Sequence, residues 1–247
     1  MRFEFLFSGV YEDIIQTLAK WRILDLQTLR RKTNYDYSYQ AFAKKVSRLE
    51  KAGFLGKVYF HNYRKYLYLT DKGLHEAGLE KAWAVNPHIL QHDIISVNVF
   101  EYFLTLEGIL GGGIHLDGAG RERRPDCYVE VERASGETYS LALEIELSQK
   151  GRGRIEEKFS DYLSQGSYNL VLYIFQKAAV FEAYKRTIEG VDLQRAESGQ
   201  DRAGERIALM IEPEIKHKNF DLMDSICCVN GKIKAFKEIW RPLIGKS

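Results

Sequence analysis

Cysteine and proline are scarce in this chain, three and four residues among 247. Cys127, Cys227 and Cys228 lack metal-ligand spacing and two of them are adjacent, which excludes a disulfide scaffold and a cysteine-built zinc site. A reduced, cytoplasmic protein is therefore expected. No apolar run approaches the ~20 residues that cross a bilayer, and Asn169 to Phe175 is typical of the longest, so no membrane is expected. The opening segment is apolar, but Glu4 interrupts it and no small-residue cleavage site follows, so no signal peptide is read there. Repeats and low-complexity tracts are absent. The one glycine run, Gly111-Gly112-Gly113, lacks the Gly-Lys-Ser/Thr ending of a phosphate loop and is expected to be an ordinary loop. His75, His88, His115 and His217 show no ligand spacing.

What remains is an ordinary globular composition, 45% hydrophobic and 28% charged, in a chain long enough for two domains. The net charge of +2 conceals an asymmetry. Residues 1–85 carry 15 Lys and Arg against 9 Asp and Glu, and the other 162 residues carry 21 against 25. A first part at +6 beside a remainder at −4 suggests that the first meets a polyanion, while the second uses carboxylates locally.

In the first part, Val10, Ile14, Ile15, Leu18 and Trp21 recur at helical spacing, giving a helix over about residues 9–22. Leu26 to Lys32 fits a second helix that stops near Asn34. Ser38 can cap a third, with Phe42, Val46 and Leu49 on its apolar face and Gly53 at its end. Gln40, Lys44, Arg48 and Lys51 lie opposite that face. Two strand-like runs follow, Lys57–His61 and Lys65–Leu69, and then a helix capped by Thr70 or Asp71. The order of three helices and a hairpin is that of a winged helix-turn-helix. Arg48-Leu49-Glu50-Lys51-Ala52-Gly53-Phe54-Leu55 and Tyr68-Leu69-Thr70-Asp71-Lys72-Gly73 resemble the matching pieces of winged-helix DNA-binding domains. That resemblance implies a double-stranded DNA partner. Gln40, Lys44, Arg48 and Lys51 are of types that reach bases or phosphates from a major-groove helix, and His61, Asn62, Arg64 and Lys65 would form a wing tip.

Ala84 to His88 is the expected linker, since Pro87 disfavours helix before it, and it divides the chain into domains 1–85 and 86–247. A long helix is expected over about His92 to Leu106. From Asp126 to Glu132, Cys127, Val129 and Val131 alternate with Asp126, Tyr128, Glu130 and Glu132. From Tyr139 to Leu147, apolar Leu141, Leu143 and Ile145 alternate with Glu144 and Glu146. The pattern predicts an antiparallel hairpin with one apolar face. Asp126, Glu144 and Glu146 would share the polar face, with no Lys or Arg alternating among them. A basic loop, Lys150 to Arg154, precedes a helix bearing Ile155, Phe159, Tyr162 and Leu163, and Tyr168 to Phe175 reads as a buried strand. Beyond it come a helix over Phe181–Ile188, a polar loop over Val191–Glu205, a strand over Ile207–Ile211, and a helix or strand over Lys232–Trp240. Lys216-His217-Lys218 reads as a solvated loop.

Helix, hairpin, helix and buried strand is the core order of the PD-(D/E)XK nuclease fold, and Pro125-Asp126 with Glu144-Ile145-Glu146 resembles that family's motif. The expected class is an α+β two-domain chain, a winged helix followed by a restriction-endonuclease-like α/β domain. The resemblance implies a Mg²⁺ or Mn²⁺ site at Asp126 and Glu144, because converging carboxylates repel until a cation lies between them. The family places Lys where this chain has Glu146. Three readings follow: an active Glu-x-Glu version, a lysine supplied by the next helix with Lys158 nearest, or a fold that kept no chemistry. Arg152 and Arg154 would hold the phosphate backbone near the scissile bond.

A second resemblance covers about residues 10–175. The winged helix, His92-Asp93-Ile94, Arg124-Pro125-Asp126, Leu143-Glu144-Ile145-Glu146 and Lys158 with Tyr162 are similar to replication-relaxation proteins of plasmids and mobile elements, in which Asp is usual where this chain has Glu146. This implies work on such DNA and adds His92 to the candidates, while Tyr162 falls on the apolar face. The competing reading is a DNA-binding regulator whose second domain forms a homodimer or recruits a partner. A small-ligand sensor is a third.

Overall fold

The computed structural model describes residues 8–36, 38–60, 63–79, 89–115 and 124–245. It divides into two compact units, residues 1–97 and 98–247. The division falls inside a helix; the linker expected over 84–88 lies outside the described residues.

The N-terminal unit runs α1 (Val10–Trp21), β1 (Ile23–Asp25), α2 (Leu26–Lys32), α3 (Tyr39–Lys51), β2 (Leu55–Phe60), β3 (Arg64–Leu69) and α4 (Asp71–Glu76), and includes the first half of α5 (Leu90–Phe103). Local chemistry fixes the helix ends. The Asp25 carboxylate accepts from the N–H groups of Gln27 and Thr28 and from the Thr28 hydroxyl at 2.7 Å, starting α2. Ser38 starts α3 by accepting from Ala41 N–H, and Thr70 starts α4 by accepting from Gly73 N–H. Past the end of α3, Gly53 takes a φ of 80°, and the Phe54 N–H returns to the Leu49 carbonyl. Ile14, Leu18, Phe42, Val46, Leu49 and Leu67 are buried as this unit's core. The alternation of β2 and β3 made a hairpin legible, but β1 was not. It is three residues long and pairs antiparallel with β3, giving the sheet order β1-β3-β2.

The C-terminal unit is a mixed α+β structure built on a seven-stranded sheet of order β10-β9-β8-β7-β6-β5-β4. Its strands are β4 (Ile109–Ile114), β5 (Cys127–Glu132), β6 (Thr138–Glu146), β7 (Leu170–Phe175), β8 (Ile207–Ile211), β9 (Ile226–Val229) and β10 (Lys232–Ala235). The β6-β7-β8 pairs are parallel, joined by α6 (Arg152–Gln165) and α7 (Ala178–Glu197), and the rest are antiparallel. On one face Ala142, Val171, Tyr173, Phe175, Ile207 and Leu209 pack under Ile155, Phe159 and Tyr162 of α6 and Phe181, Tyr184 and Ile188 of α7. On the other face lies α8 (Lys237–Leu243), where Phe103 meets Phe236 and Trp240 edge-on.

Three expectations are corrected here. Gly111-Gly112-Gly113 is not a loop but the body of edge strand β4, paired with Glu130, Val129 and Tyr128. Glycine hides the strand signal, yet it is what permits the strand. A Cβ on Gly112 would lie 2.1 Å from the Tyr128 carbonyl oxygen, and one on Gly113 would lie 2.9 Å from the Tyr128 ring. Residues Val191–Glu205 are not a polar loop, because α7 continues to Glu197 and a 3₁₀ turn spans Ala203–Glu205. The basic segment is also helical from Arg152 onward. Among the described residues, no helix is long and apolar enough to cross a membrane.

Candidate functional site

The basic face of α3 is laid out as its periodicity predicts. Gln40, Lys44, Arg48 and Lys51 are exposed opposite buried Phe42, Val46 and Leu49. The Arg48 guanidinium donates to the Tyr11 hydroxyl at 3.2 Å, and Lys45 sits 4.8 Å over the Tyr11 ring. In the hairpin, Arg64 is exposed and Tyr63 is 91% exposed with a φ of 56°. Lys65 turns back to Glu50 of α3 at 2.7 Å, and Lys57 reaches the same carboxylate at 3.7 Å. His61 and Asn62 lie outside the described residues. His92 is in the first turn of α5, in the N-terminal unit, where its carbonyl accepts from the Ser96 hydroxyl.

In the C-terminal unit, the acids gather where β5 begins and β6 ends. Cys127 pairs with Leu143, so Asp126 extends the ladder opposite Glu144. Asp126 carries the ladder one step further, its carbonyl accepting from His115 N–H. Its carboxylate accepts from Ile145 N–H at 2.7 Å, which ties the start of β5 to the end of β6. Glu144 and Glu146 point to the face covered by α6. From that helix, Lys158 Nζ donates to Glu144 Oε2 at 2.8 Å and to Glu146 Oε1 at 3.0 Å. The Tyr162 hydroxyl donates to the other oxygen of Glu144. Lys150 stands 3.9 Å from Glu146 Oε2.

One reading of this cluster does not hold. The hairpin does not have one polar, solvated face, since Glu144 is 3% exposed and Glu146 is 5%. Alternation told the faces apart correctly, but it could not tell that α6 would cover both, because strand periodicity carries no information on how the following helix packs. Of the three readings of Glu146, the one with a lysine supplied by the next helix matches the position of Lys158, which lies between two of the acids. Its spacing 14 residues beyond Glu144 carries no local signal. Arg152 pairs with Glu156 at 2.7 Å, and Arg154 is exposed in the same first turn of α6.

The electrostatics follow from counting charges in a buried space. Burial, and then the neighbouring Asp126, push Glu144 up to about 7 in spite of Lys158 and Tyr162, which act to lower it. Lys158 moves the other way from a lone buried lysine. Its own burial favours losing the proton, but Glu144, Glu146 and Asp126 together raise it above the ordinary lysine range. Burial, with Asp126 opposite, outweighs the pull of Lys158, so the most buried carboxylate takes up a proton near neutral pH. Burial and Glu144 likewise raise the Tyr162 hydroxyl, and burial and Glu146 raise that of Tyr184.

The donor set offers hard oxygen ligands suited to Mg²⁺ or Mn²⁺. Among the described residues, however, no group of three or more His, Cys, Asp or Glu side chains is arranged to hold a metal ion. One Asp126 oxygen accepts from the Ile145 N–H, and the two Glu144 oxygens accept from Lys158 and Tyr162. They do not form a cage.

Beside the acids stand three half-buried rings that the sequence did not single out as a group. His115 stacks on Tyr128 with centroids 5.0 Å apart and planes 20° apart, and Tyr168 lies 6.2 Å from Tyr128. The Tyr168 hydroxyl is 3.3 Å from His115 Nε2. Burial, and then the charge of Arg124, lower His115 from the usual histidine value.

No protein-family model matches the chain, and no curated protein matches it. Among solved structures, the restriction endonuclease FokI bound to DNA is similar at 14% identity and a TM-score of 0.30, over 84% of this chain and 44% of that one. The chain thus spans less than half the length of that protein, and a likeness this slight identifies neither fold family nor activity.

Proposed function

We propose that this protein acts on double-stranded DNA: the N-terminal unit docks the duplex as a winged helix, and the C-terminal unit is a PD-(D/E)XK-like, metal-dependent phosphodiester centre. The observation that carries this reading is the meeting of buried Glu144 and Glu146 with Lys158 beside half-buried Asp126. Excess negative charge held away from water, strong enough to raise Glu144 to about 7, is costly unless the site has a use for a cation.

In this scheme Asp126 and Glu144 would hold the cation. When bound, it supplies an activated water and neutralises charge developing on the phosphodiester. The chain's own groups do the rest. The Asp126 carboxylate is oriented by the Ile145 N–H, and Glu144 by the Tyr162 hydroxyl. Lys158 holds its proton and stabilises negative charge on the leaving or attacking oxygen, the part the fold's usual lysine would play from the position of Glu146. Arg152 and Arg154, at the start of α6, hold the backbone of the DNA. On α3, Gln40, Lys44, Arg48 and Lys51 enter the major groove, with Arg64 on the wing. Lys65 is already engaged by Glu50, which suits it to bracing the wing. The likeness to replication-relaxation proteins points to plasmid or mobile-element DNA.

Nicking of supercoiled DNA in Mg²⁺ or Mn²⁺ tests this. The parent is expected to nick, while EDTA, Asp126→Ala and Glu144→Gln each remove the activity. Equal nicking by parent and Asp126→Ala would remove the assigned site.

One observation favours a second reading. Lys158 is paired with Glu146 and with one oxygen of Glu144, as a silent site in a DNA-binding regulator would have it. That reading predicts tight DNA binding indifferent to EDTA and to Glu144→Gln, with no nicking by the parent.

A further inference from the structure

We propose that His115, Tyr128 and Tyr168 form a stacking wall for an unpaired DNA base beside the acidic cluster, so that the substrate is DNA with a flipped, frayed or single-stranded nucleotide at the reacting phosphate. This inference rests on the phosphodiester reading above and deepens it.

The position of the wall comes from strand register. Gly113, Tyr128 and Ala142 lie side by side across β4, β5 and β6, and Ala142 shares its face with Glu144. Tyr128 is therefore one row along the same sheet face from the acids. His115 follows β4 and is hydrogen-bonded through its backbone to Asp126 itself. Tyr168 reaches the wall from the turn before β7, with its ring 6.4 Å from that of Tyr162, whose hydroxyl holds Glu144.

The composition of the wall also differs from that of the core. Phe159 and Tyr173, a few residues away on the same face, are fully buried and pack edge to face. The three wall rings are half-buried, and the His115–Tyr128 pair is nearly parallel. The bare strand makes this possible, because any side chain on Gly113 would collide with the Tyr128 ring. Flat, partly open rings with polar edges suit a nucleobase, whose faces stack and whose edges hydrogen-bond. Arg124 is exposed, and its charge is felt by both His115 and Tyr168, which puts a cation beside the wall for a flanking phosphate. A strongly acidic centre repels DNA, and stacking is a charge-free way to hold a nucleotide there. A base inside a duplex presents no free face, so the occupant is an unpaired one.

The test uses the full-length protein and oligonucleotides carrying 2-aminopurine, whose fluorescence falls on stacking. One oligonucleotide is fully paired and the other presents the probe unpaired, and nicking is followed on the same samples. The parent is expected to quench the unpaired probe and to bind that DNA about tenfold more tightly than Tyr128→Ala does, with no such difference on the fully paired DNA. Tyr128→Phe is expected to retain the quench and the tight binding, which guards against a mere folding defect in the alanine variant. Unchanged quenching in both Tyr128→Ala and His115→Ala, or no quenching by the parent, overturns the stacking wall even if nicking proceeds. Quenching that depends on Tyr128 in a parent that does not nick supports the wall and counts instead against the cleavage reading.

Discussion

The two units use charge in opposite ways. On α3 of the N-terminal unit, Gln40, Lys44, Arg48 and Lys51 stand in water, each added to a helix whose stability comes from the other face. In the C-terminal unit, Glu144 and Glu146 are withdrawn beneath α6, which brings Lys158 to them, and there the fold and the charges depend on each other. An exposed charge is a feature for partners and costs the fold little. A buried one is part of the architecture, and it persists only with its counter-charge in place.

Breaking the buried pair gives the largest expected effect. Lys158→Met leaves Glu144 and Glu146 without their shared cation, and stability should fall by about 3 kcal/mol or more, read as a lowered urea midpoint. A change within about 0.5 kcal/mol would mean that water reaches the acids freely, and the contrast between the units would disappear.

A smaller effect should appear as a pH dependence. The carboxyl of Glu144 is raised in the folded protein, so the native state holds this proton more tightly than the unfolded chain does. Its contribution is fully present below the ordinary glutamate range and is lost as pH rises to about 7. Urea midpoints measured from pH 4.5 to 7.5 should show this downward component, and Glu144→Gln should flatten it. The same slope in both proteins would assign the titration to another group.

The smallest effect on stability sharpens the other side of the comparison. Lys44→Ala and Arg48→Ala should each change stability by no more than about 0.5 kcal/mol. Each should also weaken duplex binding and reduce the slope of log affinity against log salt by about one. A large stability loss with an unaltered salt slope would make α3 a structural helix rather than a DNA-facing one.

What could be read from the sequence follows the same divide. Ser38, Gly53 and Thr70 act within a few residues of themselves, so the ends of α3 and α4 were legible. The alternation around Glu144 and Glu146 was legible too, and it placed both on one face. It was silent on what covers that face, because Lys158 and Tyr162 arrive from a different element. β4 was missed because three glycines carry no strand preference, although their lack of side chains is what lets the edge strand lie against Tyr128. The grouping of His115 with Tyr128 and Tyr168 left no trace in spacing, since it joins residues up to 53 apart.

By itself, the sequence determined periodicity, caps and the uneven distribution of charge, because each of these acts over a turn of helix or a pair of strand residues. Only the tertiary structure decided that the acids are buried, that the lysine offered by the next helix pairs with two of them, and that a row of rings flanks them. Burial and pairing depend on which surfaces meet, and those meetings join parts of the chain too far apart for any local pattern to record.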